Sequence, residues 1–232
     1  RIQTIKNNYI YCEYTDISEF ERFLAITEIL KTNDIPAPTI LFQDSQRMYL
    51  IQQDLGEYLL YTAVHNINDN NTILNYYKQA IDLLVKMQNT CGFKLKQKYA
   101  ARKFDEKVYQ WELEYFQTMI LQEYRNLAFD KDLFLSAIKE QSVFLEKSFK
   151  NDYFLHRDFQ SQNIIIYNNN FYFIDYQTAY YGSNFYDAAA LIFDPYVANK
   201  LSPLRAELIK YFFEISNINY QDKEKQQLFN LM

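Results

Sequence analysis

Two short runs of β-forming residues, Asn163 to Tyr167 and Phe171 to Ile174, flank Asn168-Asn169-Asn170. Asparagine tolerates the left-handed backbone that a tight hairpin turn demands, so the pattern predicts two antiparallel strands joined by a short turn. No other local signal constrains the chain as strongly. The hairpin returns Asp175, just past the second run, to the side of Asn163, which opens the first.

Immediately upstream stands Leu155-His156-Arg157-Asp158-Phe159-Gln160-Ser161-Gln162-Asn163. A carboxylate, an amide and a second carboxylate gathered in this order suit phosphoryl transfer from ATP. One carboxylate orients an attacking hydroxyl and takes its proton, while the amide oxygen and the other carboxylate hold magnesium against the phosphates. Asp158 fits the first role, and Asn163 with Asp175 fits the second. The structural alternative makes Asp158 a turn cap, Asn163 a loop end and Asp175 a strand end. Three coincident polar positions around one hairpin weigh against it.

At 232 residues the chain suffices for one large domain or two small lobes. A hairpin is expected over Arg1 to Ile5 and Tyr9 to Tyr14, with Lys6 solvated at its tip. A helix opens at the capping box Ser18 to Glu21 and stops at Asn33 to Pro38. Strands follow at Thr39 to Phe42 and Arg47 to Gln52. Beyond Asp54-Leu55-Gly56 the apolar spacing turns helical over Asn71 to Asn89, Tyr99 to Asn126 and Asp130 to Phe149. After the hairpin come helices at Tyr186 to Phe193 and Pro203 to Ile215, and Gln221 to Met232 ends within a helix. The fold class is therefore α+β with two lobes: a small β-rich N-terminal lobe at 1–53, incomplete at its start, and a larger, mainly helical C-terminal lobe at 54–232.

Clefts between lobes bind nucleotides. The junction Gln52, Gln53 and Asp54 is where main-chain groups would present the acceptor and donor that adenine requires, although an ordinary strand end reads equally well. His156, one step from the catalytic loop core, is expected to brace that loop rather than bind metal or act as a base. Asp187 is a structural acid, placed to cap its helix. Only three glycines occur, at 56, 92 and 182, so no glycine-rich phosphate loop is visible before the first hairpin, and Tyr9 to Tyr14 holds no lysine. Either Arg1 follows such a loop, or the phosphates are held chiefly by metal.

The charge of −5 gives no basic footprint, which argues against nucleic acid as a partner. Cys12 and Cys91 have no metal-like spacing, and no apolar run reaches the length of a membrane span. The expectation is a reduced, cytoplasmic protein with no obligatory protein partner.

At these residues the chain resembles the aminoglycoside phosphotransferase and choline kinase-like family, small-molecule kinases with a protein-kinase-like fold. The resemblance runs from the small-lobe helix through Asp54-Leu55-Gly56 to Tyr186-Asp187 and Asp194-Pro195-Tyr196. His156 to Asn163, Phe173 to Gln177 and Trp111-Glu112-Leu113-Glu114-Tyr115-Phe116 look most like the bacterial anomeric kinases of N-acetylmuramate and N-acetylglucosamine. The resemblance implies instead an acid at Asp187 that turns inward to the loop backbone, and it tolerates the missing lysine. It also implies further helices after Ile215, so the chain is expected to be trimmed at both ends. Gln160 and Gln162 depart from the basic or imidazole side chains usual there, which loosens the link to a particular sugar.

Asp175-Tyr176-Gln177 stands where a protein kinase has Asp-Phe-Gly, no Ala-Pro-Glu follows, and the run to Asp187 is short. The acceptor is therefore a small molecule. The expected function is an ATP- and magnesium-dependent transfer to a hydroxyl of a sugar or amino sugar, with Gln177 and Glu112 as candidate acceptor contacts. The alternatives are an aminoglycoside or choline-like kinase and a nucleotide-binding module that has lost catalysis.

Overall fold

The computed structural model describes residues 1–5, 7–148 and 152–232. The expected position of Lys6 and the last residue of the helix predicted to reach Phe149 lie outside them.

The small lobe is a four-stranded antiparallel sheet with one helix. Strands β1 (Ile2–Gln3) and β2 (Asn8–Glu13) form the expected hairpin, shorter than predicted, with Ile2 opposite Tyr9. Helix α1 (Ile17–Lys31) starts one residue before Ser18 because Asp16, not the predicted serine, is its cap. The Asp16 carboxylate accepts from the Ser18 N–H at 2.7 Å, and the Ser18 hydroxyl donates to the same oxygen. Strands β3 (Ile40–Asp44) and β4 (Tyr49–Gln53) complete the sheet in the order β1-β2-β4-β3.

The large lobe begins with α2 (Leu60–Asn66), which sequence periodicity did not pick out, and α3 (Asn70–Lys98), capped by Asp69 through the Thr72 N–H. Helix α3 runs well past the predicted Asn89 because Gly92 does not break it. A Cβ at Gly92 would lie 2.2 Å from the Asp152 carbonyl oxygen and 2.7 Å from the Phe154 nitrogen, so glycine lets α3 rest directly on the strand β5 (Tyr153–Leu155).

The helix predicted from Tyr99 forms only from Glu106. Helix α4 (Glu106–Phe116) is capped by Asp105, and a π-helical stretch (Gln117–Tyr124) continues it. The preceding residues are drawn off by another partner: Phe104 N–H donates to the Tyr181 carbonyl, and Tyr181 N–H to the Arg102 carbonyl. Backbone groups paired there cannot also enter a helical ladder, and Phe104 becomes fully buried. Helix α5 (Lys131–Ser148) packs against α4.

Strands β6 (Ile164–Tyr167) and β7 (Asn170–Phe173) are the central hairpin, with Ile164 opposite Phe173. Its loop is only Asn168-Asn169, both at positive φ (49° and 59°), the signature of a type I′ turn, and Asn170 joins the strand. Strand β8 (Tyr180–Gly182) pairs with β5, an association the sequence reading did not foresee. Helices α6 (Phe185–Ile192), α7 (Ala198–Leu201), α8 (Arg205–Ile215) and α9 (Lys223–Asn230) follow, and α9 closes before Met232 rather than running through it.

One hydrophobic core joins the lobes. Phe20, Ile26 and Leu30 of α1 pack with Tyr77, Ile81 and Leu84 of α3, and with Phe159, Phe173 and Tyr176 around the hairpin. Among the described residues no helix is long and apolar enough to cross a membrane, and both cysteines are free.

Candidate active site

Strand β5 delivers the chain into the loop from His156 to Asn163, and the hairpin brings Asp175 back to it. The Ile174 N–H donates to the Asn163 carbonyl at 3.1 Å, which puts Asp175 beside Asn163. Asn163 Nδ2 donates both to the Asp158 carbonyl and to its carboxylate Oδ2, each at 2.8 Å. Asp158 is therefore held by Asn163, and the Asn163 amide oxygen is left for another partner. Gln177 Nε2 donates to Asp175 Oδ1 at 2.6 Å. Asp158 and Asp175 are exposed.

Two residues here carry left-handed backbone that non-glycine residues rarely adopt: Arg157 at φ 75° and Asp175 at φ 66°. Such conformations cost on the order of 1 kcal/mol or more each and persist where surrounding bonds over-determine them. For Arg157 the constraint is Asp187. Its Oδ2 accepts from the His156 N–H at 2.7 Å and its Oδ1 from the Arg157 N–H at 3.1 Å. Asp187 is fully buried, and burial pushes its carboxyl up to about 7 against the pull of those two N–H groups.

His156 is also fully buried. Its Nε2–H donates to the Ile174 carbonyl at 2.9 Å, tying the loop from His156 to Asn163 to the strand end before Asp175. Burial lowers its pKa to about 4, so the ring is neutral at neutral pH. Neither His156 nor Asp187 faces a space where a reactant could sit. Both act on the main chain.

A second buried acid is Asp194. Its Oδ2 accepts from the Ser161 N–H at 2.8 Å and its Oδ1 from the Tyr196 N–H at 2.8 Å. The sequence signal was present, since Asp before Pro195 at a helical start is a cap pattern. Only the fold shows the same carboxylate reaching the loop that holds Asn163.

Glu112 of α4 points to the loop, but its oxygens are engaged. Arg157 Nη2 donates to Oε1 at 2.9 Å, and the Tyr186 hydroxyl lies 3.1 and 2.9 Å from the two oxygens. On the other side of the hairpin, Tyr176 stacks on Phe23 of α1 at 5.2 Å and shares a 2.9 Å hydrogen bond with Thr27. Three carbonyls after Asp175 are caught by arginines: Gln177 by Arg22, and Thr178 and Ala179 by Arg102.

At the lobe junction, β4 ends in Gln53, whose N–H donates to the Thr39 carbonyl. The Asp54 carboxylate accepts from the Gly56 N–H and pairs with Arg1, so its side chain shapes the linker. A cavity of about 620 Å³ opens there, lined by Arg1, Asn8, Tyr9, Gln53, Asp54 and Tyr167 among others. Gln52 is not among its lining residues.

The family model of the phosphotransferase enzyme family matches residues 15–223. An N-acetylmuramate/N-acetylglucosamine kinase of Pseudomonas putida is 27% identical over 177 residues, which are 76% of this chain and 50% of that protein. The chain spans about half the length of the curated relatives it matches. Among solved structures, choline kinase LicA from Streptococcus pneumoniae superposes with a TM-score of 0.61 at 13% identity, covering 98% of this chain and 74% of that one. The AMP-bound complex of a spectinomycin phosphotransferase gives 0.60 at 18% identity, covering 98% and 76%. These likenesses show a kinase-like, two-lobed α+β fold.

Proposed function

Since the chain belongs to the phosphotransferase enzyme family, we propose that it is a cytoplasmic, ATP- and magnesium-dependent kinase that phosphorylates a hydroxyl of a sugar or amino sugar. The observation that carries this reading is the double hydrogen bond from Asn163 to Asp158, which fixes the carboxylate and frees the amide oxygen beside Asp175. Names of the curated relatives support the sugar acceptor.

In this reading Asp158 orients the acceptor hydroxyl and receives its proton as the phosphoryl group transfers. Asn163 Oδ1 and the Asp175 carboxylate would hold magnesium. The donor set fits, since this hard ion takes oxygen ligands and completes its shell with phosphate oxygens and water rather than a dedicated protein cage. Among the described residues no three His, Cys, Asp or Glu side chains gather into such a cage. When bound, the ion would offset charge on the transferred phosphoryl group. The main chain of Gln53 and Asp54 would meet adenine in the cavity at the lobe junction, with Gln52 completing the strand behind it. Gln177 steadies Asp175, and Glu112 fixes Arg157 against α4. Both then shape the acceptor side through the residues they hold.

Asp158→Ala is expected to lower turnover on the order of 10³-fold while ADP affinity stays close to that of the unaltered protein. Turnover within a few-fold of normal would remove Asp158 from the role of base.

A further inference from the structure

Every fourth residue along α4 and the π-helical stretch that continues it belongs to one exposed row: Lys107, Trp111, Tyr115, Met119 and Glu123. An α-helix turns in about 3.6 residues, so residues four apart drift steadily to one side of it. The wider i→i+5 turn over Gln117–Tyr124 carries them back, which keeps the row on one face. Phe116, Ile120 and Tyr124 run beside it, and these six apolar side chains are between 38% and 77% exposed. The Trp111 and Tyr115 rings stack on each other at 5.8 Å. Helix α5 packs against α4, but on another side, where Tyr109 and Gln117 are buried.

The amount of bare apolar surface suits a partner. Large side chains of 150–250 Å² each, about half exposed, leave roughly 600 Å² on this face, and two such faces together would bury roughly 1,200 Å², the lower end of a stable interface. Patches of this size on a single chain mark surfaces that are covered.

The order of charges says by what. Counted outward from Tyr115, the row has an apolar residue four places away on each side and a charge eight places away on each side, a cation at Lys107 and an anion at Glu123. Both charges are exposed, and neither makes an ion pair among the described residues. A second copy of the same helix, laid antiparallel about a two-fold axis through Tyr115, puts Trp111 opposite Met119 and Lys107 opposite Glu123, and symmetry repeats each match. We propose that this face pairs with a second copy of the chain in that register. The cation of each copy then meets the anion of the other at the two ends of the contact, around an aromatic centre, as interfaces are built with an apolar middle and a polar rim.

Sedimentation velocity from about 1 to about 100 μM, where contacts of this area dissociate, tests the pairing. The expected result is a passage from one mass to twice that mass, while emission from Trp111, the chain's one tryptophan, moves to shorter wavelength as the indole leaves water. Tyr115→Glu sets two carboxylates against each other on the axis and should weaken pairing about 100-fold. Lys107→Glu should weaken it about tenfold, since each charge pair occurs twice. Combining Lys107→Glu with Glu123→Lys should restore it to within about twofold. The combined swap decides the register whatever Tyr115→Glu does to folding. A monomer at every concentration overturns the proposal and gives the face to an occupant other than this chain. Pairing that a folded Tyr115→Glu protein retains at full strength, or a charge swap that fails to rescue, overturns it equally.

Discussion

Replacing Gly92 by alanine tests how the loop from His156 to Asn163 is supported. The added Cβ would meet the Asp152 oxygen at 2.2 Å, the Phe154 nitrogen at 2.7 Å and the Tyr153 carbonyl carbon at 2.8 Å, all of them backbone atoms of, or next to, β5. Carbon needs roughly 3.5 Å of clearance, so strand and helix must part by roughly 1 Å. No flexible side chain can yield in their place. Overpacking of this kind costs about 3 kcal/mol at the upper end, and the better helix propensity of alanine returns about 1, for a net loss of about 2 kcal/mol. Because β5 leads straight into His156 and Asp158, a displacement of roughly 1 Å should also lower turnover on the order of 10²-fold. Equilibrium urea unfolding and steady-state turnover read the two effects. Asn89→Ala, on the exposed side of the same helix, is the control, expected to be neutral or slightly stabilising. A Gly92→Ala protein as stable and as active as the original would refute the claim that β5 is seated on this glycine.

Two further predictions concern the buried pair behind the loop. His156 has its pKa lowered from 6.5 to about 4 by burial; between those values the unfolded chain binds more protons, so stability rises with pH and is lost as pH falls toward 4. Relative to His156→Gln, the original should gain ~3 kcal/mol from pH 4 to 7 in urea titrations; a parallel pair of curves would contradict the buried neutral ring. Asp187 has the opposite sign, because its raised pKa means the folded chain holds the extra proton between about 4 and 7 and loses stability as pH rises through that window. Asp187→Ala orphans two N–H groups at about 1–3 kcal/mol each yet removes a buried carboxylate, so its destabilisation should be larger at pH 5 than at pH 8. Its turnover should fall steeply at both pH values, since Arg157 loses what holds its φ positive. Equal destabilisation at the two pH values would argue against a raised carboxyl.

The hairpin was legible because its signal is local: β-formers alternate with an asparagine turn whose backbone preference is intrinsic to the residue. The nearness of Asp175 to Asn163 was legible with it, because the hairpin register alone brings 163 and 174 together; Asp158 joins them through the Asn163 side chain. What the sequence concealed depends on partners far along the chain. The pairing of β5 with β8 rests on three residues each, too short for periodicity to register. The start of α4 moved from Tyr99 to Glu106 because Arg102 and Phe104 give their backbone groups to Tyr181. The N-cap of α1 shifted to Asp16 because a carboxylate two residues upstream reaches the Ser18 N–H. Asp194 and Gly92 could be seen in the sequence, but their importance lies in a carboxylate and a missing methyl that act on segments distant in sequence.

The three carbonyls from Gln177 to Ala179, held by Arg22 of the small lobe and Arg102 of the large one, bear on timing as well as shape. Fixing a backbone residue costs about 1–2 kcal/mol in entropy, and here that cost is met when the chain folds, not when a reactant arrives. A segment ordered in advance has no loose state for a modification to rescue, and none for binding energy to be diverted into ordering. In the kinase reading proposed above, a segment strapped in this way stands ordered before any reactant arrives.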